Sequence, residues 1–582
     1  MQTLWVVDTL TDEQKEQCKS LEKDLNISQV ESAMLVKRHI FTHADYIKFI
    51  SPSLTDLYNP FLMKDMERAV ERLKQAVDKH ENILIYGDYD VDGTTSVALV
   101  YRFLSKIINL ESLFFYIPDR HKEGYGVSKL GIDYAIETHC TLIISLDCGI
   151  KANESIAYSV KNNIDFIVCD HHMPDVELPS AVAVLDPKRN DCNYPYKELS
   201  GCGVGFKLLQ AYTQKYGSEE ISAHLYKQLE LLAMSIASDI VPLTGENRIL
   251  AYHGMKQINT SPSAGVKAIL KVAGLESTSV NISDLVYKIG PRINASGRIS
   301  SGKTAVELLI AKDIESASRH SESINQYNEQ RKGYDHQTTI EALEQLRQDP
   351  ENDNKKATVV CGEQWQQGVV GIVASRLTET YYRPTIVLTR GDDLSTYVGS
   401  ARSVGGFDIY SAIESCRDLL TNFGGHVFAA GLAMKRENLS AFKLRFEQYV
   451  ALHITAEQQV KTIHIENELH LSDITSDFYK FLCSLEPFGP ENPTPLFATN
   501  SVRNYRYSRC VGKDNKHLKL NVTDGTSTAD GLAFGKGEVY IQHLLEGESF
   551  DICYRIDENV FRDRSSLQLM VEDMKLHTDS EN

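Results

Sequence analysis

Short apolar runs separated by amphipathic stretches fill the chain from about Leu57 to Pro242. In ERAVERLKQAVDK (Glu67–Lys79) the apolar residues recur at helical spacing, and NILIY (Asn82–Tyr86) is a brief apolar run of strand length. TTSVALVYRFLSKII (Thr94–Ile108) again reads as a helix, followed by the strand-like SLFFYIP (Ser112–Pro118), TLIISLD (Thr141–Asp147) and DFIVCDHH (Asp165–His172). Apolar strands alternating with amphipathic helices predict a doubly wound α/β layer around a parallel sheet, because both faces of such a sheet are covered.

From Asn247 to Gln348 the pattern becomes mainly helical, and the long polar stretch Asp313–Leu346, poor in breakers, predicts a connecting helix or helix pair. RQDPENDNKK (Arg347–Lys356) loses all apolar periodicity and marks a boundary. A second α/β unit begins at ATVVCGEQW, with strands expected near Thr358–Cys361 and Thr385–Leu388 and a helix over about Val369–Thr378. Beyond Lys461, short alternating runs (HLKLNV, FDICYRI, LQLMVED) between turn residues suit a small β-barrel. The expected division is an N-terminal segment 1–56, a first α/β domain 57–246, a helical region 247–350, a smaller α/β domain 356–455 and a barrel domain 461–578.

A chain of 582 residues exceeds what one core holds, consistent with several domains. No apolar run reaches the roughly 20 residues that span a bilayer. The N-terminus MQTLWVVDTL lacks the basic-then-apolar order of a secretory signal, so a cytoplasmic protein is expected. The 11 cysteines show no CxxC or zinc-binding spacing, which points to free thiols. The net charge of −18 by itself argues against a nucleic-acid partner. Metal-ligating carboxylates would account for part of it, with basic residues confined to one channel.

The strongest chemical signal is YGDYDVDGTTS, where Asp88, Asp90 and Asp92 follow the NILIY strand. Carboxylates this close repel one another unless cations neutralise them. A solvated acidic turn is the ordinary alternative. An EF-hand loop is excluded because its twelfth position is Leu99, where a bidentate Glu is required. The Asp90–Thr94 string also resembles the aspartyl-phosphate motif of haloacid-dehalogenase phosphatases, but at Gly391–Asp392 the second acid that family needs is replaced by Thr396. The signal recurs: Asp147 closes a second strand, Asp170, His171 and His172 close a third, and Asp239 follows the apolar ELLAMSIA. Residues at the carboxyl ends of neighbouring parallel strands converge on one crevice. Oxygen ligands with one or two imidazoles suit Mn²⁺ or Mg²⁺, and two such ions both activate water and neutralise a phosphoryl centre.

In order along the chain, GDYDVDG, SLDCG, DHH and SDIVPL resemble the four motifs of the DHH phosphoesterases. RHKEGYG (Arg120–Gly126), GPRINASGRI (Gly290–Ile299), WQQGVVGIVASRL (Trp365–Leu377), GSARS (Gly399–Ser403), GGHVFAAG (Gly424–Gly431) and LEPFGPENPTPLF (Leu485–Phe497) narrow the resemblance to the single-strand-specific 5′→3′ exonucleases of that family, over nearly the whole chain. One departure is Gln366, where many relatives carry His. The resemblance implies that Asp90, Asp92, Asp147, His171 and Asp239 hold two ions with Asp147 bridging. It places Asp88 and Asp170 beside them, with Asp88 a candidate ligand, and has His172 face the scissile phosphate. It further implies a grip on the 5′-terminal phosphate by Ser400 and Arg402, helped by Arg298 and Arg292, with Arg120 another substrate-binding residue. Gly424, Gly425 and His426 would approach the substrate backbone. The barrel would hold single-stranded DNA through Tyr505 and Tyr507 among Arg503, Arg506, Arg509, Lys513, Lys516 and Lys519. A monomer working with a helicase and a single-strand-binding protein, and no membrane, completes the expectation. A family member acting on short oligonucleotides or cyclic dinucleotides, and a non-catalytic DNA-binding relative, are the alternatives; the first generally lacks a barrel and the second generally lacks some of the acids.

Overall fold

The structure, a computed structural model, describes residues 3–120, 122–561 and 564–577. His121 of the RHKEGYG motif and the outer bounds of the first and last expected segments (1–2 and 578) lie outside them. The chain forms two compact units, one built from residues 58–241 and 245–461, the other from 3–57, 242–244 and 462 onward.

The first unit opens with a five-stranded parallel sheet: β1 (Asn82–Gly87), β2 (Leu113–Tyr116), β3 (Cys140–Leu146), β4 (Asp165–Cys169) and β5 (Ala183–Leu185), in the order β2-β1-β3-β4-β5. The predicted strands form because their residues are buried on both faces, as with Ile83, Leu84, Ile85 and Tyr86 of β1. Register aligns Gly87 with Leu146, Leu146 with Cys169, and Cys169 with Leu185. The next residue on each strand is therefore Asp88, Asp147, Asp170 or Asp186, one row of acids at the carboxyl edge. Chain order reverses direction at β1, the place where open sheets of this kind part to form a crevice. The helix α1 (Val91–Leu104) follows β1, and α2 (Gly201–Tyr216) and α3 (Leu229–Ser238) pack against it.

Further along lie α4 (Gly290–Ile299) and a single helix α5 (Ile314–Gln348), the predicted connector. The second sheet runs β9-β10-β8-β7-β6, made from β6 (Thr358–Gly362), β7 (Thr385–Arg390), β8 (Thr396–Arg402), β9 (Leu420–His426) and β10 (Ala429–Lys435), with α6 (Gln367–Tyr381) crossing from β6 to β7. Only the β6–β7 pair is parallel.

In the second unit, β11 (Asn467–Glu468), β12 (Phe497–Asn504), β13 (Arg509–Val511), β14 (His517–Thr523), β15 (Thr528–Ala533), β16 (Phe550–Phe561) and β17 (Arg564–Leu576) lie in the order β11-β12-β16-β17-β15-β14-β13. Pairing of β12 with β14 at Arg503 and Asn504 closes the ring. The N-terminal helices share its core: Cys18, Leu21, Met34, Leu35 and Val36 pack with Phe478, Phe497, Leu518 and Tyr554. A bidentate pair from Arg38 to Glu466, at 2.9 and 3.1 Å, pins them there. No helix among the described residues is long and apolar enough to cross a membrane.

Candidate metal centre and substrate cleft

Around the carboxyl edge of the parallel sheet, three side-chain triads place their ligand atoms within 4.8 Å of one another: Asp88, Asp90 and Asp147; Asp92, His171 and Asp239; and Asp147, His171 and His172. Asp147 and His171 each belong to two of them. His171 Nε2 lies 3.2 Å from Asp147 Oδ1, 3.6 Å from Asp239 Oδ2 and 3.8 Å from Asp92 Oδ2.

Each acid is held by a different local device. Asp90 caps α1, its Oδ1 accepting from the Gly93 N–H at 3.0 Å. Asp92 sits at the start of α2, accepting from the N–H groups of Gly201 (2.7 Å) and Cys202 (2.8 Å) and from the Ser235 hydroxyl of α3 (2.7 Å). Asp147 adopts φ 60°, a left-handed conformation that a non-glycine residue keeps only when its surroundings enforce it. Asp170 accepts from the N–H groups of Ile150 (2.9 Å) and His171 (2.8 Å), and its Oδ1 lies 2.7 Å from His172 Nδ1. Tyr125 donates its hydroxyl to the Asp147 carbonyl at 3.1 Å and packs edge-on against the His172 ring.

Burial and then mutual repulsion hold Asp88, Asp147 and Asp239 well above the usual carboxylate range. Asp170 behaves oppositely. Burial would raise it, but the bond and charge of His172 and the Ile150 N–H outweigh burial and bring it to about 2. Burial lowers His171, keeping it neutral and ready to ligate, whereas the Asp170 carboxylate overcomes burial to raise His172.

These residues fit divalent cations. Asp88 Oδ1 and His171 Nδ1 are buried without a hydrogen-bond partner among the described residues, and the donors are oxygens plus imidazole, the set suited to Mn²⁺ or Mg²⁺.

The raised acids make stability depend on pH and metal together. Their folded pKa values exceed the unfolded value of about 3.9, so the stability they contribute is complete below about pH 4 and is lost as pH rises through the raised values. In EDTA the melting temperature should therefore fall between about pH 5 and about pH 8, and the Mn²⁺-induced rise should grow over that interval. A Mn²⁺ shift equal at both ends, measured by calorimetry, contradicts a metal-neutralised cluster.

Gly201 carries no sequence signal of its role. A Cβ there would stand 2.6 Å from Asp147 Cβ, whereas at Gly203 the nearest atom is a Leu199 side-chain carbon at 3.3 Å. Gly201→Ala should cost about 1–3 kcal/mol in stability through overpacking and depress turnover by displacing Asp147, while Gly203→Ala changes both far less; equal effects in melts and rate assays contradict this. Asp186 is a second residue outside the predicted set. It is buried, its Oδ1 accepts from the Lys188 N–H at 2.7 Å, and burial pushes it up to about 7.

The predicted phosphate-binding residues separate into groups. Ser400 and Arg402 lie together on β8, with Arg402 Nη1 donating to Ser400 Oγ at 2.7 Å, and both face Gly371 of α6. Arg298 donates to the Gly368 carbonyl of α6 at 2.8 Å, and burial together with Arg120, Arg331 and Arg402 lowers it to about 10. Arg120 lies 4.9 Å over the Tyr89 ring. Arg292 turns instead to Asn325 of α5, at 3.1 Å. Gly424, Gly425 and His426 lie on β9, the sheet's edge strand, with His426 exposed and Gly425 at φ 150°. In the other unit Tyr505 and Tyr507 are about half exposed; Arg506 lies 4.8 Å over the Tyr505 ring and Tyr507 donates to Asp530 at 2.9 Å.

Three family models match the chain in order: DHH family, N-terminal domain over residues 82–236, DHHA1 domain over 353–452, and RecJ OB domain over 465–573. The single-stranded-DNA-specific exonuclease RecJ of Bacillus subtilis (strain 168) is 34% identical over 560 residues, 96% of this chain and 69% of that one. The chain belongs to the RecJ family. RecJ of Escherichia coli (strain K12) is 32% identical over 88% of this chain and 90% of its own. Among solved structures, RecJ of Thermus thermophilus in complex with Mn²⁺ shares the fold with a TM-score of 0.83 at 24% identity, covering 99% of this chain and 80% of that one. A manganese-bound exonuclease RecJ is 29% identical, with a TM-score of 0.59 over 70% of this chain and all of its own.

Proposed function

We propose that this chain is a metal-dependent 5′→3′ exonuclease that hydrolyses single-stranded DNA to mononucleotides in recombination and repair. The observation that carries the reading is the set of three ligand triads joined through Asp147 and His171. Asp88, Asp90, Asp147, Asp92, His171 and Asp239 would hold two Mn²⁺ or Mg²⁺ ions. When bound, such a pair lowers the pKa of a shared water and neutralises charge on the phosphoryl centre.

The remaining groups position the strand. His172, whose protonated form Asp170 favours and which Tyr125 flanks, faces the anionic diester and stabilises its added charge. Ser400 and Arg402, with Arg298 and Arg120, receive the 5′-terminal phosphate, so the chain end is fixed relative to the hydrolytic site. That arrangement makes the enzyme an exonuclease and gives it direction. Gly424, Gly425 and His426 line the strand's approach. In the barrel, Tyr505 and Tyr507 stack on bases of single-stranded DNA, with the neighbouring arginines and lysines on the backbone. The division into residues 57–246, 247–350, 356–455 and 461–578, with the N-terminal segment ahead, is the domain assignment this reading uses. A monomer supplied with strands by a helicase and aided by a single-strand-binding protein is its cellular form.

The test is release of mononucleotides from labelled single strands in Mn²⁺ or Mg²⁺, compared with duplex, RNA and cyclic dinucleotides. Metal-dependent release from single-stranded DNA is expected. Activity confined to cyclic dinucleotides, or none with either metal, contradicts the proposal.

A further inference from the structure

The connector α5 buries an apolar stripe at both ends, with Ala317 and Ile324 near its start and Ala342 and Leu346 near its finish. Between them the same face carries Asn328, Arg331, Asp335 and Thr338, and Asn328 and Asp335 are each 1% exposed. Polar groups buried at such a place are unfavourable unless something pairs with them.

Three contacts lace the surrounding helices together. Arg292 of α4 donates to Asn325 of α5 at 3.1 Å, Arg298 of α4 to the Gly368 carbonyl of α6 at 2.8 Å, and Arg376 of α6 to Asp335 Oδ2 of α5 at 2.8 Å. Arg331 lies inside this frame. Its Nη2 donates to Asn328 Oδ1 at 3.1 Å, and its Nη1 is 3.8 Å from Asp335 Oδ2. The bond from Arg331 fixes which end of the Asn328 amide is oxygen, leaving the NH₂ end turned elsewhere. Asn328 Nδ2 and Arg331 Nε are both buried without a partner among the described residues.

Arg298 meets α6 at Gly368, and Arg402 and Ser400 meet it about one turn on at Gly371; Arg331, like Arg120 and Arg402, acts electrostatically on Arg298. Asp335 and Glu329 are the acids that act on Arg331, and Asp335 is already bonded to Arg376 through Oδ2. Guanidinium groups gathered around two open buried donors suit an anion with several acceptor oxygens. We propose that Asn328 and Arg331 complete the terminal-phosphate pocket from the connector side, donating to phosphate oxygens alongside Ser400 and Arg402. This rests on the assignment of Ser400 and Arg402 to the 5′-phosphate. A terminal monoester carries more charge and one more open oxygen than a diester, so a second bank of donors sharpens recognition of the end.

The test is the ratio of kcat/KM on 5′-phosphorylated and 5′-hydroxyl single strands, in the full chain with Mn²⁺. Arg331→Met should lower that ratio roughly tenfold, the size of one charge-assisted hydrogen bond, with little change on the hydroxyl strand. Asn328→Ala keeps every charge and serves as the second variant should Arg331→Met fold poorly; it should lower the ratio a few-fold, about the size of a neutral hydrogen bond. An unchanged ratio in both folded variants, or equal losses on both substrates, overturns the inference. If Arg402→Ala also leaves the ratio unchanged, the terminal-phosphate assignment itself fails. If only Arg402→Ala lowers it, that assignment stands and the connector's part is overturned.

Discussion

Asp147→Asn should reduce cleavage of single-stranded DNA by roughly 10⁴-fold, about 5 kcal/mol of transition-state stabilisation, while single-strand affinity changes no more than a few-fold. Asp147 is common to two of the ligand triads and lies 3.2 Å from His171 Nε2. Losing its charge removes the donor both ions would share. Asparagine is the informative substitution because residue 147 sits at φ 60°, a conformation asparagine tolerates better than alanine. Asp147→Ala should abolish turnover equally, with an added stability loss. Single-turnover rates and filter binding check both parts, and turnover within tenfold of the parent contradicts the bridging role.

Arg402→Ala should lower kcat/KM on 5′-phosphorylated strands about 100-fold, the effect of truncating one side of a buried charge pair, with a much smaller loss on 5′-hydroxyl strands. The Arg402 guanidinium is held by Ser400 Oγ and the Ala401 carbonyl on a central strand of its sheet. Burial lowers it first, and Arg120 lowers it further. A charge kept under such conditions awaits an anion. Equal losses on the two substrates would show that Arg402 serves folding or strand binding in general.

Much of this site is legible in the sequence because parallel strands announce themselves. NILIYG, TLIISL and DFIVC are largely apolar runs, and each is followed by an acid, so the pattern alone aligns Asp88, Asp147 and Asp170. Asp186 is not legible in the same way, because its strand is only Ala183–Leu185 and the following Asp-Pro reads as a turn. The groups that hold Asp92, namely Gly201, Cys202 and Ser235, lie more than 100 residues away on helices, where periodicity reports burial and not what a helix terminus points at. The joint core of the N-terminal helices and the barrel is illegible for the same reason, since apolar spacing shows that a face is covered but not by what. Asn328 and Arg331 carry no signal within the polar stretch Asp313–Leu346; their inward placement comes from the packing of α4 and α6 around α5.

Anomalous diffraction from crystals grown with Mn²⁺ tests the central claim most directly. Two peaks about 3.5–4 Å apart, one on each side of Asp147 with His171 in contact, are the predicted result. A single ion, or manganese bound away from these carboxylates, would contradict the account.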